Sequence, residues 1–355
     1  MGNLKCACLW VRNETGNTER GPKMIFRNTN RNASVWVKTC TARAIVLLLP
    51  LLFAVSTHSE QIRAAEQRTS APSARAQTFV PVQITDDLGH TFRFTRPPQR
   101  IVSLTPGYTE TLFALGAGNR VVGVDDYSDY PPEARSRAKV GGGQHANLEL
   151  IVALRPDFVV ALVEQQEVDA LVAKGIPAIR LFPKDFNGVL QTILLLGKVT
   201  GTEQRAQEIV VEMNRRLAKI DERVKGRHQP KVFVELDGTD PLRPFTPGPH
   251  SFIGDMIRTA GGWNIAHDIQ TPSSQISLEA IVAEDPEIIV LTDSKNPINP
   301  QSKEDVLKRQ GWGAIRAVRN GAVVSVDDVF FFRPGPRFVN GIELLARIFH
   351  PEAFR

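Results

Sequence analysis

Nine side chains of this chain stand out for the chemistry their types and positions allow. Tyr108, Tyr127 and Tyr130 are its only three tyrosines. A tyrosine offers a flat apolar face and a hydroxyl, which suits it to lie against a chelate ring or a catecholate. Arg333 and Arg337 bracket the loop Arg-Pro-Gly-Pro-Arg, between the aromatic run Phe330–Phe332 and the apolar helical pattern Phe338–Phe349. A cation at a helix start opposes the dipole, so an arginine there calls for a carboxylate. That carboxylate belongs either to the protein or to an anionic ligand, and a guanidinium can grip either in a bidentate fork. Phe331 and Phe332 either face such a ligand or fill the core. His145 and His250 occupy matching loops and either ligate a metal or are merely solvated. Glu149 and Glu279 each take the second position of a short helix, where an anion is favoured by about 0.3–1 kcal/mol.

Other chemistries are excluded. No G-x-G-x-x-G follows a strand, and there is neither a P-loop nor a G-x-S-x-G elbow. The three cysteines, Cys6, Cys8 and Cys40, precede the main body, which therefore has no thiol nucleophile, Cys-ligated metal or internal disulfide. The pairs Asp125/Asp126 and Asp327/Asp328 read as surface turn acids more readily than as a hard-metal site.

The elements that must position these residues alternate between short apolar strands and helical patterns. Phe79–Phe94 alternates around Asp86-Asp-Leu-Gly89 and predicts a β-hairpin. Residues 100–104, 121–124, 158–162, 178–182 and 231–235 read as buried strands, and Thr109–Leu115 as an amphipathic helix stopped by Gly116. Pro106, Gly107 and Tyr108 then lie where a strand turns into a helix, with free backbone N–H groups at a cleft. The segment Asn147–Val160 aligns without gaps to Ser277–Val290, with seven of 14 positions identical. Each copy has an N-cap residue, a short helix, a proline and a strand. A weaker echo relates Ala114–Asn119 to Thr259–Asn264. Copies so far apart indicate one lobe duplicated, not a solenoid of short repeats. Between them, residues 202–225 lack Gly and Pro, and Ile209, Val210, Met213, Leu217 and Ile220 keep helical spacing. The expected fold is α/β: two doubly wound lobes with parallel sheets, residues 77–201 and 226–355, joined by a single long helix at 202–225. Ligands of such sheets sit at the carboxyl ends of the strands.

Charge separates the amino end from this body. The chain carries a net +5, yet residues 1–76 hold 11 Lys/Arg against 4 Asp/Glu, and the remainder holds 32 against 34. A cationic, nucleic-acid-tracking surface is therefore not expected on the body. Ala44–Val55 is an apolar run behind Lys38 and Arg43, the length of a secretory signal and too short to span a bilayer. Met24 is a plausible start, and cleavage falls near Ala64 or near Ala76. Residues 56–78 read as a polar linker. Export to the periplasm as a soluble protein is the expectation.

The chain from about residue 79 onward resembles the class III solute-binding proteins of ABC importers. The resemblance is carried by Arg100–Glu110, Asp129–Ala134, Asn147–Glu149 with its helix, Phe245–Gly248, Ala260–Ile265, Gln275–Glu279 and Arg333–Arg337. It implies a non-enzymatic, monomeric receptor with no covalent cofactor. Its ligand would be a metal chelate: a ferric siderophore, a corrinoid or haem. It also implies that Glu149 and Glu279, one on each lobe, meet arginines of the membrane permease. Pro106, Gly107, Tyr108, Tyr127, Tyr130, His145, His250, Arg333 and Arg337 are the candidate ligand contacts. The sequence departs from cobalamin-binding members in lacking tryptophan in the stretch before Asn147 and in Thr271–Ser274. That weighs against cobalamin itself and leaves a smaller corrinoid open. The rival readings are a two-lobed α/β enzyme, transferase or chelatase-like, and a binding module that feeds a sensor.

Overall fold

A computed structural model describes residues 79–142, 145–162, 165–296 and 299–355. The leader, its cleavage sites and the linker lie outside the described residues.

The chain enters through a hairpin of β1 (Val82–Thr85) and β2 (Thr91–Phe94). Asp86 closes its turn, accepting the Leu88 and His90 amides on one carboxylate oxygen. The core strand β3 (Ile101–Ser103) leads into α1 (Pro106–Ala114), then β4 (Val121–Val124) and β5 (Ala138–Lys139). A small hairpin, β6 (Gly141–Gly142) with β7 (His145–Ala146), precedes α2 (Leu148–Ala153), β8 (Phe158–Ala161), α3 (Gln165–Ala173) and β9 (Ala178–Arg180). Five strands form one parallel sheet in the order β5-β4-β3-β8-β9. The order reverses between β3 and β8, so connections leave to both sides, as in a doubly wound sheet. Alternate residues serve opposite faces. Ile101, Phe158 and Val160 join one core cluster, and Val102, Val159 and Ala161 join another.

Two helices follow, α4 (Phe186–Thr200) and α5 (Glu203–Val224). At 22 residues α5 is about 33 Å long. Ala206, Ile209 and Met213 pack into the amino-terminal core, Ile220 into the carboxyl-terminal one, and Leu217 touches both. The helix thus shares its apolar stripe between two cores, as its spacing predicts.

The second half comprises β10 (Lys231–Glu235), β11 (Phe245–Pro247), α6 (Phe252–Thr259), β12 (Trp263–Asn264), β13 (Ser273–Gln275), α7 (Leu278–Glu284) and β14 (Ile288–Leu291). It closes with α8 (Lys303–Lys308), α9 (Arg316–Arg319), β15 (Val323–Ser325) and α10 (Phe338–Phe349). Its parallel sheet has the order β12-β10-β14-β15 and is also covered on both faces. The fold class read from the sequence is therefore found: two α/β halves with parallel sheets and a long helix packed against both.

The internal repeat holds at atomic detail. Asn147 caps α2 through the Leu150 amide, and Ser277 caps α7 through the Ala280 amide. Arg155 and Asp285, each before the proline, have φ of 49° and 46°. Arg100 donates to the Leu154 carbonyl where Lys231 donates to that of Glu284. The weaker echo is equally real. Gly116 and Gly261 have φ of 80° and 82°, and the next amide in each case bonds back to Leu112 or Ile257, closing the helix in a left-handed turn that favours glycine.

One element departs from expectation. α1 begins at Pro106, not Thr109, because a proline suits the first helical position. It is not amphipathic: Gly107 through Leu112 are all buried.

Candidate functional site

The carboxyl ends of the two sheets present their loops to a common region, and the five side chains that meet there come from both halves. Glu110 sits on α1 behind β3, and Asp129 and Tyr130 follow β4. Arg333 and Arg337 follow β15. Arg337 donates from Nε to Glu110 Oε2 at 2.8 Å and from Nη2 to Oε1 at 2.5 Å. Its guanidinium lies 3.8 Å over the centre of the Tyr130 ring. Arg333 donates to Asp129 Oδ1 at 2.5 Å and lies 3.6 Å from Glu110 Oε1. The carboxylate demanded by an arginine at a helix start thus comes from the protein. Glu110 is nearly sealed from solvent, with a 2 % exposed side chain, so this is a desolvated fork pair. Its hydrogen bonds raise the Arg337 pKa. Burial pushes the Asp129 carboxyl up, but the bond and charge of Arg333 outweigh it and hold it below its ordinary value.

The turn before α1 is part of the same seam. A Cβ on Gly107 would come within 2.5 Å of the Pro334 carbonyl oxygen, and one on Gly335 within 2.7 Å of the Gly107 carbonyl. The two backbones touch, which only glycine permits. Gly107 is therefore covered by the Arg333–Arg337 loop and does not present free amides to a ligand; Pro106 is half-buried beside it. Tyr108 is a second correction. It is wholly buried, and its hydroxyl donates to the Leu181 carbonyl at 2.5 Å. A core side chain whose polar end is satisfied internally is not a ligand contact.

Tyr127 and Tyr130 behave otherwise, at 48% and 43% exposed. Phe331 is core and Phe332 is 48% exposed, which separates two neighbours that sequence could not. Phe182, just past β9, and Phe245, the first residue of β11, are also exposed. Neither was expected from sequence: Phe182 ends a run that reads as a buried strand, and no local spacing marks Phe245 as exposed. His145 on β7 and His250 before α6 are both exposed on loops of opposite halves. Among the described residues no three His, Cys, Asp or Glu side chains gather as a metal site. Glu149 and Glu279 are exposed at the second positions of α2 and α7. The Glu279 pKa is lowered by its own backbone amide and by the Ser277 hydroxyl.

A second buried cluster lies at the carboxyl ends of the paired strands β10 and β14. Glu235 is fully buried and takes a fork from Arg309, at 2.5 and 2.8 Å. Arg309 also rests 4.5 Å over the Trp312 ring. Asp293 accepts the Gly238 amide on Oδ2, while its buried Oδ1 has no partner. Burial, then the Glu235 charge, push the Asp293 carboxyl up to about 7.

The sequence profile of the periplasmic binding protein family matches residues 101–329. This chain belongs to that family. Among members, the ABC transporter substrate-binding lipoprotein YvrC of Bacillus subtilis is 32% identical over 300 residues, covering 82% of this chain and 92% of its own. A protein of Halobacterium salinarum named cobalamin-binding protein is 33% identical over 290 residues, 79% of this chain and 77% of its own. The solved structure of the haem-binding family member RhuT from Roseiflexus, in apo form, superposes with a TM-score of 0.64 at 26% identity, over 72% of this chain and 99% of that one.

Proposed function

We propose that this periplasmic binding protein captures a metal chelate in the region between its two sheets and delivers it to an ABC permease. The observation that carries the reading is the set of half-exposed aromatics drawn from both halves: Tyr127 and Tyr130 in the segment after β4, Phe182 just past β9, Phe245 at the start of β11 and Phe332 in the segment after β15. Exposed rings in such numbers suit a large flat ligand better than a small polar solute. The relatives named for cobalamin and haem support this class. The corrinoid is the first candidate, because a relative at 33% identity carries that name. The absence of tryptophan from the loops before both repeat copies favours a smaller corrinoid over cobalamin itself. The role is binding and not turnover, in keeping with the substrate-binding relatives. Export to the periplasm follows from the leader and from the family, and no helix among the described residues is long and apolar enough to cross a membrane.

Glu149 and Glu279 are the docking residues in this reading. Their support is symmetry: the same exposed acid stands at the same position of the same capped helix in both copies, where the dipole alone would accept several residue types. A thermal-shift screen of the mature chain against cobinamide, cyanocobalamin, haem and ferric siderophores tests the chelate. A ligand at about 100 times its Kd adds about 2.7 kcal/mol, a rise of about 5 °C or more in Tm. No rise with any of these would overturn the reading.

A further inference from the structure

We propose that Glu110 and Asp129 set the charge of the ligand this cleft accepts, by neutralising Arg333 and Arg337 so that chelates without net negative charge are preferred over anionic ones. This deepens the chelate-binding reading and rests on it.

An arginine pair on a cleft loop invites the opposite conclusion, that it awaits a carboxylate or catecholate. The geometry does not support that. Both oxygens of Glu110 are engaged by Arg337, and Arg333 is bound to Asp129 and close to Glu110. Two more acids stand within electrostatic reach of Arg333: Asp125, buried behind β4, and Asp328, ahead of the loop. Burial is the main cause that raises both of their pKa values and favours their neutral forms, so the charge balance rests on Glu110 and Asp129. The nearby Lys295 is paired with Asp327, and Lys139 donates to the Asp125 and Ser128 carbonyls. This corner of the cleft therefore holds at least as many carboxylates as cations. An anionic ligand placed there would meet Asp129 and Glu110 beside Arg333, and would have to displace a desolvated fork to reach Arg337. Removing a partner from such a fork leaves a buried charge uncompensated, which is costly.

The face that remains available is aromatic. The Tyr130 ring has one face under Arg337 and is still 43% exposed, and Tyr127 and Phe332 are exposed beside the same loops. Such a surface selects by shape and stacking, not by charge.

The test measures Kd for the full mature chain with three probes: cobinamide (cationic), cyanocobalamin (no net charge) and a ferric tris-catecholate (three negative charges). The parent protein should bind a corrinoid probe at least about ten-fold tighter than the tris-catecholate, and Asp129→Asn should narrow that ratio by about ten-fold. Glu110→Gln should narrow it further; should it fail to fold, the half-exposed Asp129 position alone decides. Tighter binding of the tris-catecholate by the parent, or an unchanged ratio in Asp129→Asn, overturns the inference while leaving the chelate reading intact. Binding of none of the probes overturns the inference, and together with the absence of a haem-induced rise in Tm it overturns the chelate reading as well.

Discussion

Arg337 and Asp293 show how far a side chain's role depends on what surrounds it. The need of Arg337 for a carboxylate was legible from its place at a helix start, but which carboxylate was not. Glu110 is 227 residues away in sequence, on a helix buried on every side, so no amphipathic pattern marks it. Tyr108 misled for the same reason: clustering with two surface tyrosines says nothing about which face of α1 is covered. Asp293 carries a prediction. Its ordinary value is 3.8 and burial beside Glu235 raises it to about 7, with Arg309 the facing cation. The folded protein therefore binds a proton there between about pH 4 and 7 that the unfolded chain does not. Stability gained from that proton is full below the unfolded value and is lost as pH rises through about 7. The Asp293→Asn variant lacks this loss. Urea melts should show it more stable than the parent at pH 8, by about 1–3 kcal/mol, with the gap closing below pH 5. Equal dependence of both proteins on pH would refute the assignment.

At the scale of elements, sequence reading succeeded where periodicity and local chemistry agree. The strand Val121–Val124, the strand Lys231–Glu235 and the helix Phe338–Phe349 stand where expected, because each is bounded by turn chemistry and has a clear apolar pattern. The two repeat segments were legible because their caps, prolines and strand starts are set by near neighbours in the chain. Contacts between distant segments were not. The covering of Gly107 by Pro334 and Gly335 depends on where two loops meet, and no local spacing encodes that. The repeat also makes docking testable by element. α2 and α7 offer equivalent exposed acids, so Glu149→Lys and Glu279→Lys each remove one of two contacts with little effect on the fold. In proteoliposomes with the cognate permease, the double variant should fail to stimulate ATP hydrolysis while keeping parental ligand affinity. Undiminished stimulation would rule out docking through these helices.

At the scale of the molecule, the long helix α5 packs against both halves. A chain crossing between lobes on flexible strands can hinge freely, but α5 is rigid and is anchored in both cores, through Ile209 and Met213 on one side and Ile220 on the other. The seam beside it is packed. Phe338 stacks on Phe186 and packs at a tilt against Phe252, with ring centres 5.7 and 4.0 Å away. Val339, on α10, is buried in the amino-terminal core. Arg216 of α5 forks Glu343 and also reaches Asn340, both on α10. The Gly107–Gly335 contact and the Glu110–Arg337 fork close the cleft end of the same seam. Opening the halves by a large angle would strip aromatic packing and a desolvated ion pair together, so thermal motion should be confined to small adjustments of the cleft loops. A compact chain of about 280 residues, the length of the body from residue 77 onward, has a radius of gyration of about 19 Å. Small-angle scattering of the mature protein with and without a saturating corrinoid should show a change below about 0.5 Å, where hinge closure of two free lobes would give about 1 Å or more. A contraction of that larger size would mean that the seam breaks in the unliganded protein, and that the helix is a pivot instead of a brace.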